Sequence, residues 1–176
     1  MLQLFTIKPA YMQKDLMERE AQDKLKELIE EINVCMFISD TELGQTSRPM
    51  ATIKVDEDLG LWFITDKNSL KIQDILKDDM VHLIYAHPGQ EIYLDVWGHA
   101  AIILDHQKIK KLWSPVVKAW FPKGIEDSNL CLLHVFPNSA HYWDSKSSKM
   151  VTFFNIMTAG ITGKASSRGD EGELYF

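Results

Sequence analysis

The chain has 176 residues, of which 45% are hydrophobic and 25% charged, which is typical of one globular domain large enough to hold a core without disulfides. Its formal net charge of −6 at pH 7 disfavours nucleic acids and anionic membrane surfaces as partners, because both repel an acidic protein. We therefore predict no nucleic-acid and no membrane partner, and any phosphorylated ligand must be attracted by a local cationic site.

The cysteines and the start of the chain bear on the cellular compartment. Cys35 and Cys131 lie in separate apolar runs without a CxxC pair, which predicts buried free thiols in a reducing environment. The first residues do not combine a basic segment, an apolar stretch and a cleavage site, and no apolar run is long enough to span a bilayer. These features predict a cytoplasmic protein.

The first predicted element is a helix over residues 15–33, whose apolar side chains follow one face. From residue 34 the pattern changes to runs rich in β-branched and aromatic residues, which predict strands. The six runs are VCMFISD, RPMATIKV, GLWFITD, MVHLIYAH, IYLDVWGHAAIIL and NLCLLHVFPNSAHYW. The loop VDEDLG predicts a hairpin in which Gly60 takes a positive φ.

Two short helices are predicted between the strands. The segment SLKIQDILKDD follows Asn68 or Ser69 as N-cap, and DHQKIKKLWSPVVKAWF is broken or kinked near Pro115. After the last strand, MVTFFNIMTAG reads as a final docked segment, and the polar residues beyond it predict disorder. We predict a single domain over residues 12–163 and a disordered tail over residues 164–176.

The predicted fold is mainly β with peripheral helices. The loops between strands are mostly too short for parallel crossovers, so the strands form an antiparallel sheet that closes into a small, partly open barrel. Side chains fill the interior of such a barrel. A ligand is therefore expected outside it, in a groove or at a subunit interface.

The stretch Ser47–Ile72 gathers the groups that an anion needs. Arg48 can clamp a phosphate, while Lys71 lies in the first turn of a predicted helix, where only a bound anion makes a cation favourable. The hydroxyl groups of Thr65 and Ser69 would complete the cradle. The alternative is a surface salt bridge for Arg48 and an ordinary helix lysine at position 71.

The segment SRPMAT…LWFITDKNSLKIQDI resembles the flavin-binding signature of the pyridoxamine 5′-phosphate oxidase-like split-barrel family, in its general stress protein 26-like branch. The segments IKKLWSPVVKAWFPKG and LCLLHVFPNSAHYWD are similar to the same branch, and the resemblance covers residues 16–144. It implies a six-stranded antiparallel Greek-key split β-barrel. It also implies a homodimer that holds FMN at the subunit interface, with FAD as the alternative cofactor.

The resemblance assigns cofactor-binding roles to three segments. It places the phosphate at Arg48, Ser69 and Lys71. The strand that runs along the flavin contributes Pro49, Met50 and Thr52, and the strand facing it, partly through its backbone, contributes Phe63, Ile64 and Thr65. The aromatic residues near the isoalloxazine ring are Trp113 and Trp120, for which plain packing is the alternative.

The function implied is an FMN-dependent oxidoreductase acting on a small substrate or a reduced nicotinamide, with unassigned catalytic residues. The alternatives are a flavin-binding stress protein without efficient turnover (a sensor, store or scavenger) and a cofactor-free dimeric scaffold. Pyridoxamine 5′-phosphate oxidase activity itself is not expected, because the resemblance implies an arginine-bearing motif at the end of such enzymes that helps to hold the substrate. The late arginine of this chain, Arg168, falls in the predicted tail instead. The histidine spacings fit no metal motif, haem remains a minor alternative, and no GxSxG motif supports a hydrolase.

Overall fold

The structure, a computed structural model, describes residues 10–144 and 170–175. The helices are α1 (Ala10–Ile32), α2 (Leu70–Lys77), α3 (His106–Leu112) and α4 (Pro115–Trp120). The strands are β1 (Val34–Thr41), β2 (Gly44–Ala51), β3 (Lys54–Val55), β4 (Leu61–Asp66), β5 (Met80–His87), β6 (Ile92–Ile103), β7 (Leu130–Asp144) and β8 (Asp170–Tyr175). A 3-10 turn, Pro88–Gln90, joins β5 to β6.

The fold is mainly β, as predicted, and every strand pairing is antiparallel. The hydrogen-bonded order is β2-β1-β5-β6-β7-β4-β3, with β8 beside β7. The predicted count of six strands is wrong, because eight are present in the described residues. The second predicted run divides into β2 and β3 where the Thr52 amide leaves the sheet and donates to the Asn33 carbonyl at 2.7 Å.

The eighth strand lies in the segment for which the sequence predicted a disordered tail. Strand β7 pairs with β4 only over Leu130–Val135, so the rest of that edge would otherwise expose unpaired backbone groups. Strand β8 pairs with β7 there, from Ser139 to Asp144. The predicted docked segment, residues 150–160, lies outside the described residues.

Local sequence explains where the helices begin and end. Helix α1 stops at Asn33, which has a positive φ of 52° and whose amide donates to the Ile29 carbonyl at 2.8 Å, as in a left-handed C-terminal cap. The predicted break near Pro115 is confirmed, because that proline opens α4 and Ser114 caps it. None of the helices in the described part of the chain is long and apolar enough to cross a membrane.

Two hydrophobic clusters hold the elements together. The larger one fills the inner face of the sheet beneath α1, where Leu25, Leu28 and Ile29 are buried. The smaller one packs the opposite face of β4 against α3 and α4, with Trp62, Ile64, Ile109, Val117, Leu130 and Leu132 at its centre. Each fully buried large aliphatic side chain stabilises the fold by about 1.5–3 kcal/mol. Strand β4 is therefore fixed from both faces, which makes it a rigid wall.

Gly60 is required by a close approach and not by its backbone angle. The prediction of a positive φ at this position is wrong: the positive φ of the hairpin, 63°, falls on Leu59. A Cβ atom at position 60 would lie 1.8 Å from Nε2 of His134 and 2.8 Å from Oδ2 of Asp56. The glycine leaves room for His134, whose ring stacks on Trp62 with the centroids 3.8 Å apart.

We expect Gly60→Ala to lower the free energy of unfolding by about 1–3 kcal/mol, because the added methyl group must displace the His134 ring. Urea denaturation measures the effect. Gly89→Ala is the matched control, since its Cβ would meet only the His87 ring, at 3.7 Å, and we expect a change within about 0.5 kcal/mol. Equal effects at the two positions would contradict this account of Gly60.

Candidate functional site

A cleft of about 770 Å³ lies between residues 48–55, strand β4 and helices α1 and α4. The structure places most of the sequence-predicted site residues in its lining: Arg48, Pro49, Met50, Thr52, Ile64, Thr65, Lys71 and Trp120. They come from β2 and the residues that follow it, from β4, from the first turn of α2 and from the end of α4. Four separate segments of the chain therefore meet at one concave surface.

Three predicted residues do not line the cleft. Phe63 is fully buried in the core, edge-on to Phe37 with the ring centroids 5.6 Å apart, because neighbouring residues of a strand face opposite sides. Trp113 packs against the smaller cluster and faces Phe121 at 6.5 Å. Ser69 accepts a hydrogen bond from Lys71 but is not part of the cleft lining. The break at Pro115 separates the two tryptophans: Trp113 is half-buried, whereas Trp120 is 67% exposed.

Arg48 is held at one end of the cleft by groups from three elements. Its Nη1 donates to Oγ of Ser39 at 2.7 Å, its Nη2 donates to Oγ1 of Thr46, and Nη2 lies 3.6 Å from Oδ2 of Asp74. Arg48 thus lines the cleft and also makes the salt bridge that was the alternative from the sequence. The ion pair fixes the guanidinium and neutralises part of its charge.

Lys71 lies near Arg48 but has a different set of partners. Its Nζ donates to Oγ1 of Thr65 at 2.6 Å and to Oγ of Ser69 at 3.3 Å. Burial lowers the pKa of Lys71 and repulsion by Arg48 lowers it further, while attraction by Asp66 offsets part of the change. Within the described residues, no carboxylate forms an ion pair with this ammonium group. A half-buried cation whose hydrogen-bond partners are hydroxyl groups is suited to bind an anion.

The residue that precedes α2 brings a hydroxyl group to Lys71. Ser69 occupies the N-cap position of α2 as predicted, yet its side chain makes no capping hydrogen bond. Its Oγ accepts from Lys71 instead. The first turn of α2 therefore combines backbone N–H groups, a hydroxyl and an ammonium group, which together suit an anionic ligand.

The rest of the cleft is mostly apolar, with a few charged side chains in its lining. Met50, Ile64 and Val117 line its walls, and Trp120 and Phe121 lie at the α4 side. A cleft with two neighbouring cations and mostly apolar walls fits a planar, largely apolar ligand that carries a phosphate group.

Sequence reasoning missed the contribution of helix α1 to this cleft. Lys26 and Ile29 line it, together with Asn33 at the end of the helix. The amphipathic pattern of α1 shows which face is buried but not which strand it covers. No local signal could have found these residues.

The cysteines and histidines lie outside the cleft lining. Cys35 and Cys131 are free and buried, as predicted. His99 pairs with Asp79 at 2.8 Å, and His82 pairs with Asp95 on the outer face of the sheet. In the described ranges, 10–144 and 170–175, no three histidine, cysteine or acidic side chains are grouped so that they could hold a metal ion.

Comparisons with known proteins agree with this architecture. Residues 20–167 match the model of the family described as "Pyridoxamine 5'-phosphate oxidase like". General Stress Protein 26 from Bacillus anthracis str. Sterne is 30% identical, with a TM-score of 0.57 over 67% of this chain and 92% of that one. The general stress FMN/FAD binding protein from Xanthomonas citri is 27% identical, with a TM-score of 0.63 over 74% of this chain and 92% of that one.

A curated relative extends the comparison to a fungus. Protein bli-3 of Neurospora crassa is 25% identical over 141 residues, which is 76% of this chain. The match spans 61% of that protein, so part of bli-3 has no counterpart here. The family match covers most of the chain and includes every segment that forms the cleft. The chain belongs to the pyridoxamine 5′-phosphate oxidase-like family, with general stress protein 26 among its relatives.

Proposed function

We propose that the chain binds FMN in this cleft and acts as a flavin-dependent oxidoreductase on a small substrate. The observation that carries the proposal is the cation pair, Arg48 and Lys71, in a cleft whose remaining lining is mostly apolar. Lys71 has hydroxyl partners but no ion pair in the described part of the chain, and Arg48 repels it. A phosphate dianion would relieve that repulsion.

The residues present fit each part of the proposed ligand. Lys71, Thr65 and the guanidinium of Arg48 would hold the phosphate, with charge-assisted hydrogen bonds. Met50 and Ile64 would contact the ring system, and Trp120 would shield it from water. When bound, a flavin supplies the hydride chemistry through its own ring, so the protein needs to bind, orient and protect it. The FMN/FAD binding protein from Xanthomonas citri supports the assignment by similarity.

The deciding experiment is the visible absorption spectrum of the purified protein, repeated after addition of FMN and dialysis. We expect a flavin band that survives dialysis. Riboflavin, which has the same ring and no phosphate, should be lost under the same conditions. No band together with no thermal shift on adding FMN would overturn the proposal, and a Soret band would replace flavin by haem.

Turnover separates the oxidoreductase from a flavin-binding stress protein. Anaerobic mixing of the loaded protein with NADH or NADPH, followed by an electron acceptor, measures reduction and reoxidation. Reduction faster than that of free FMN supports an enzyme. If the protein retains flavin, but NADH and NADPH reduce it no faster than free FMN, the result favours a sensor, store or scavenger. The buried free thiols are compatible with the reducing cytoplasm that we propose as its location.

We further propose that the protein is a homodimer, because the outer face of its sheet exposes several large apolar side chains around the His82–Asp95 pair. Met36 and Ile84 are cross-strand neighbours on this face, as are Tyr93 and Trp143. Together with Trp97, each is 39–40% exposed. Large exposed apolar side chains that lie close together are typical of interaction surfaces. FMN would then be bound where the two copies meet.

We expect Trp97→Glu to convert the dimer to a monomer, because a buried, unpaired carboxylate at an interface is strongly unfavourable. Sedimentation velocity measures the change. Leu76→Glu is the control, since Leu76 is exposed but lies on α2 and not on the outer sheet face. A wild-type chain that sediments as a monomer at all concentrations would contradict the proposal.

A further inference from the structure

A fully buried tyrosine stands directly behind the wall of the cleft. Tyr85 on β5 has no exposed surface, and its Oη lies 2.7 Å from Oγ1 of Thr52, which lines the cleft. Burial raises the pKa of Tyr85 well above its ordinary value, so the phenol keeps its proton. A hydroxyl group in the core is unfavourable unless it is hydrogen-bonded. The Thr52 contact satisfies that need.

A third group continues the line away from the cleft. Cys35 on β1 is the cross-strand partner of Tyr85, and both side chains face the core. Burial raises the pKa of Cys35 to about 12, against a hydrogen bond with Tyr85 that lowers it. The thiol is therefore protonated at neutral pH. Cys35, Tyr85 and Thr52 form a row of neutral S–H and O–H groups that runs from the core to the cleft.

Each member of this row can donate and accept one hydrogen bond along it. In one sense Cys35 donates to Tyr85, Tyr85 donates to Thr52, and Thr52 donates into the cleft. In the other sense all three bonds reverse, and Thr52 accepts from the cleft. The Thr52–Tyr85 geometry permits either atom as donor. Reversal needs only rotation of hydrogens, and the weakly polar thiol tolerates either role at the inner end.

We propose that Thr52, Tyr85 and Cys35 form a reversible hydrogen-bond chain that lets the cleft wall serve either as donor or as acceptor to a redox-active ligand. This inference rests on the proposed function, because a flavin is a ligand that needs such a wall. Two-electron reduction turns a ring nitrogen from an acceptor into an N–H donor. The electrons and protons come from the reductant and from solvent, and none travels along the chain. Tyr85 is thus a positioning residue that acts through Thr52.

Removal of the phenol hydroxyl should affect the two redox states differently. In Tyr85→Phe, Thr52 can still donate to the oxidised ligand. When Thr52 accepts from the reduced ligand, its own hydroxyl proton has no acceptor, because the Tyr85 hydroxyl oxygen is gone. An unsatisfied donor in a protein interior is less well tolerated than an unsatisfied acceptor. We expect reduced FMN to bind about three- to tenfold more weakly relative to oxidised FMN. For a two-electron couple, a tenfold change lowers the reduction potential by about 30 mV.

The test is the reduction potential of bound FMN, measured by spectroelectrochemistry in the wild type and three variants. Tyr85→Phe and Thr52→Val should both lower the reduction potential. Thr52→Ser keeps the hydroxyl group and should have the wild-type potential. A merely structural role would weaken both redox states equally and leave the potential unchanged. If Tyr85→Phe binds FMN with the wild-type reduction potential, this inference is overturned but the proposed function is not. A wild type that holds no FMN overturns the proposed function as well.

A second measurement needs no change at Tyr85. In a Cys131→Ala background, which leaves one thiol, the infrared S–H stretching band reports on Cys35. With oxidised FMN we expect the band of a hydrogen-bonded S–H. After reduction with dithionite it should move to higher frequency, because Cys35 then accepts from Tyr85. A band that does not move on reduction would contradict the reversible chain.

Discussion

Lys71→Met is expected to weaken FMN binding by on the order of ten- to a hundredfold, because a charge-assisted hydrogen bond contributes about 1.5–3 kcal/mol. The structure makes Lys71 the more telling position of the two cations. Arg48 is already paired with Asp74, whereas Lys71 contacts the hydroxyl groups of Thr65 and Ser69. Isothermal titration of the apoprotein with FMN measures the change.

Lys77→Met is the matched control for this variant. Lys77 belongs to the same helix and is 67% exposed, and neither it nor its ion-pair partner Glu42 lines the cleft. We expect its FMN affinity to equal that of the wild type. Riboflavin affinity should be unchanged in Lys71→Met, because riboflavin has no phosphate to lose. Equal losses for FMN and riboflavin would place the phosphate elsewhere.

The same substitution should alter the pH dependence of binding. Because burial and Arg48 lower the pKa of Lys71, the ammonium loses its proton below the ordinary lysine value of 10.5. Wild-type affinity for FMN should therefore decline as the pH rises toward that value, and Lys71→Met should show a weaker decline.

A lowered lysine pKa also means that the charge of Lys71 disfavours folding of the apoprotein, so Lys71→Met should not lower the melting temperature of the apoprotein. A lower melting temperature would indicate a structural role.

Lys24→Met is expected to lower the free energy of unfolding by about 3–5 kcal/mol, because it removes a cation that lies against a buried carboxylate. Nζ of Lys24 lies 2.7 Å from Oδ2 of Asp144, and the two side chains are only 5% and 4% exposed. The pair ties α1 to the end of β7. Although burial lowers the pKa of Lys24, the hydrogen bond and charge of Asp144 outweigh it and leave the pKa raised. Chemical denaturation gives the free-energy change.

Two variants test whether the ion pair is responsible. Lys26→Met alters a neighbouring lysine on α1 that is 46% exposed and lies 4.0 Å from Glu30, and it should change stability by less than about 1 kcal/mol. The double variant Lys24→Met with Asp144→Leu should recover most of the loss, since an apolar pair of similar volume replaces a buried ion pair well. Because the pKa of Lys24 is raised, the stabilisation should be complete below pH 10.5 and decline above the folded-state pKa. A double variant as unstable as Lys24→Met would show that packing, not charge, holds α1 in place.

Local sequence patterns predicted much of this molecule. The apolar periodicity of α1, the alternation along β5 and the break at Pro115 are properties of neighbouring residues. The candidate anion site could also be predicted from the sequence, because Arg48, Thr65 and Lys71 fall within one short stretch of the chain. Strand alternation puts Phe63 and Ile64 on opposite faces of β4, but it could not decide which of the two faces the cleft.

The sequence by itself thus determined the mainly β antiparallel fold, the breaks between its elements and the groups available for an anion. Only the tertiary structure decided which groups meet across the chain. Lys24 and Asp144 are 120 positions apart, Tyr85 reaches Thr52 from another strand, and the ring that requires Gly60 to be glycine comes from β7. The physical reason is that periodicity records which face of an element is buried, whereas contacts depend on strand register and on which element covers that face.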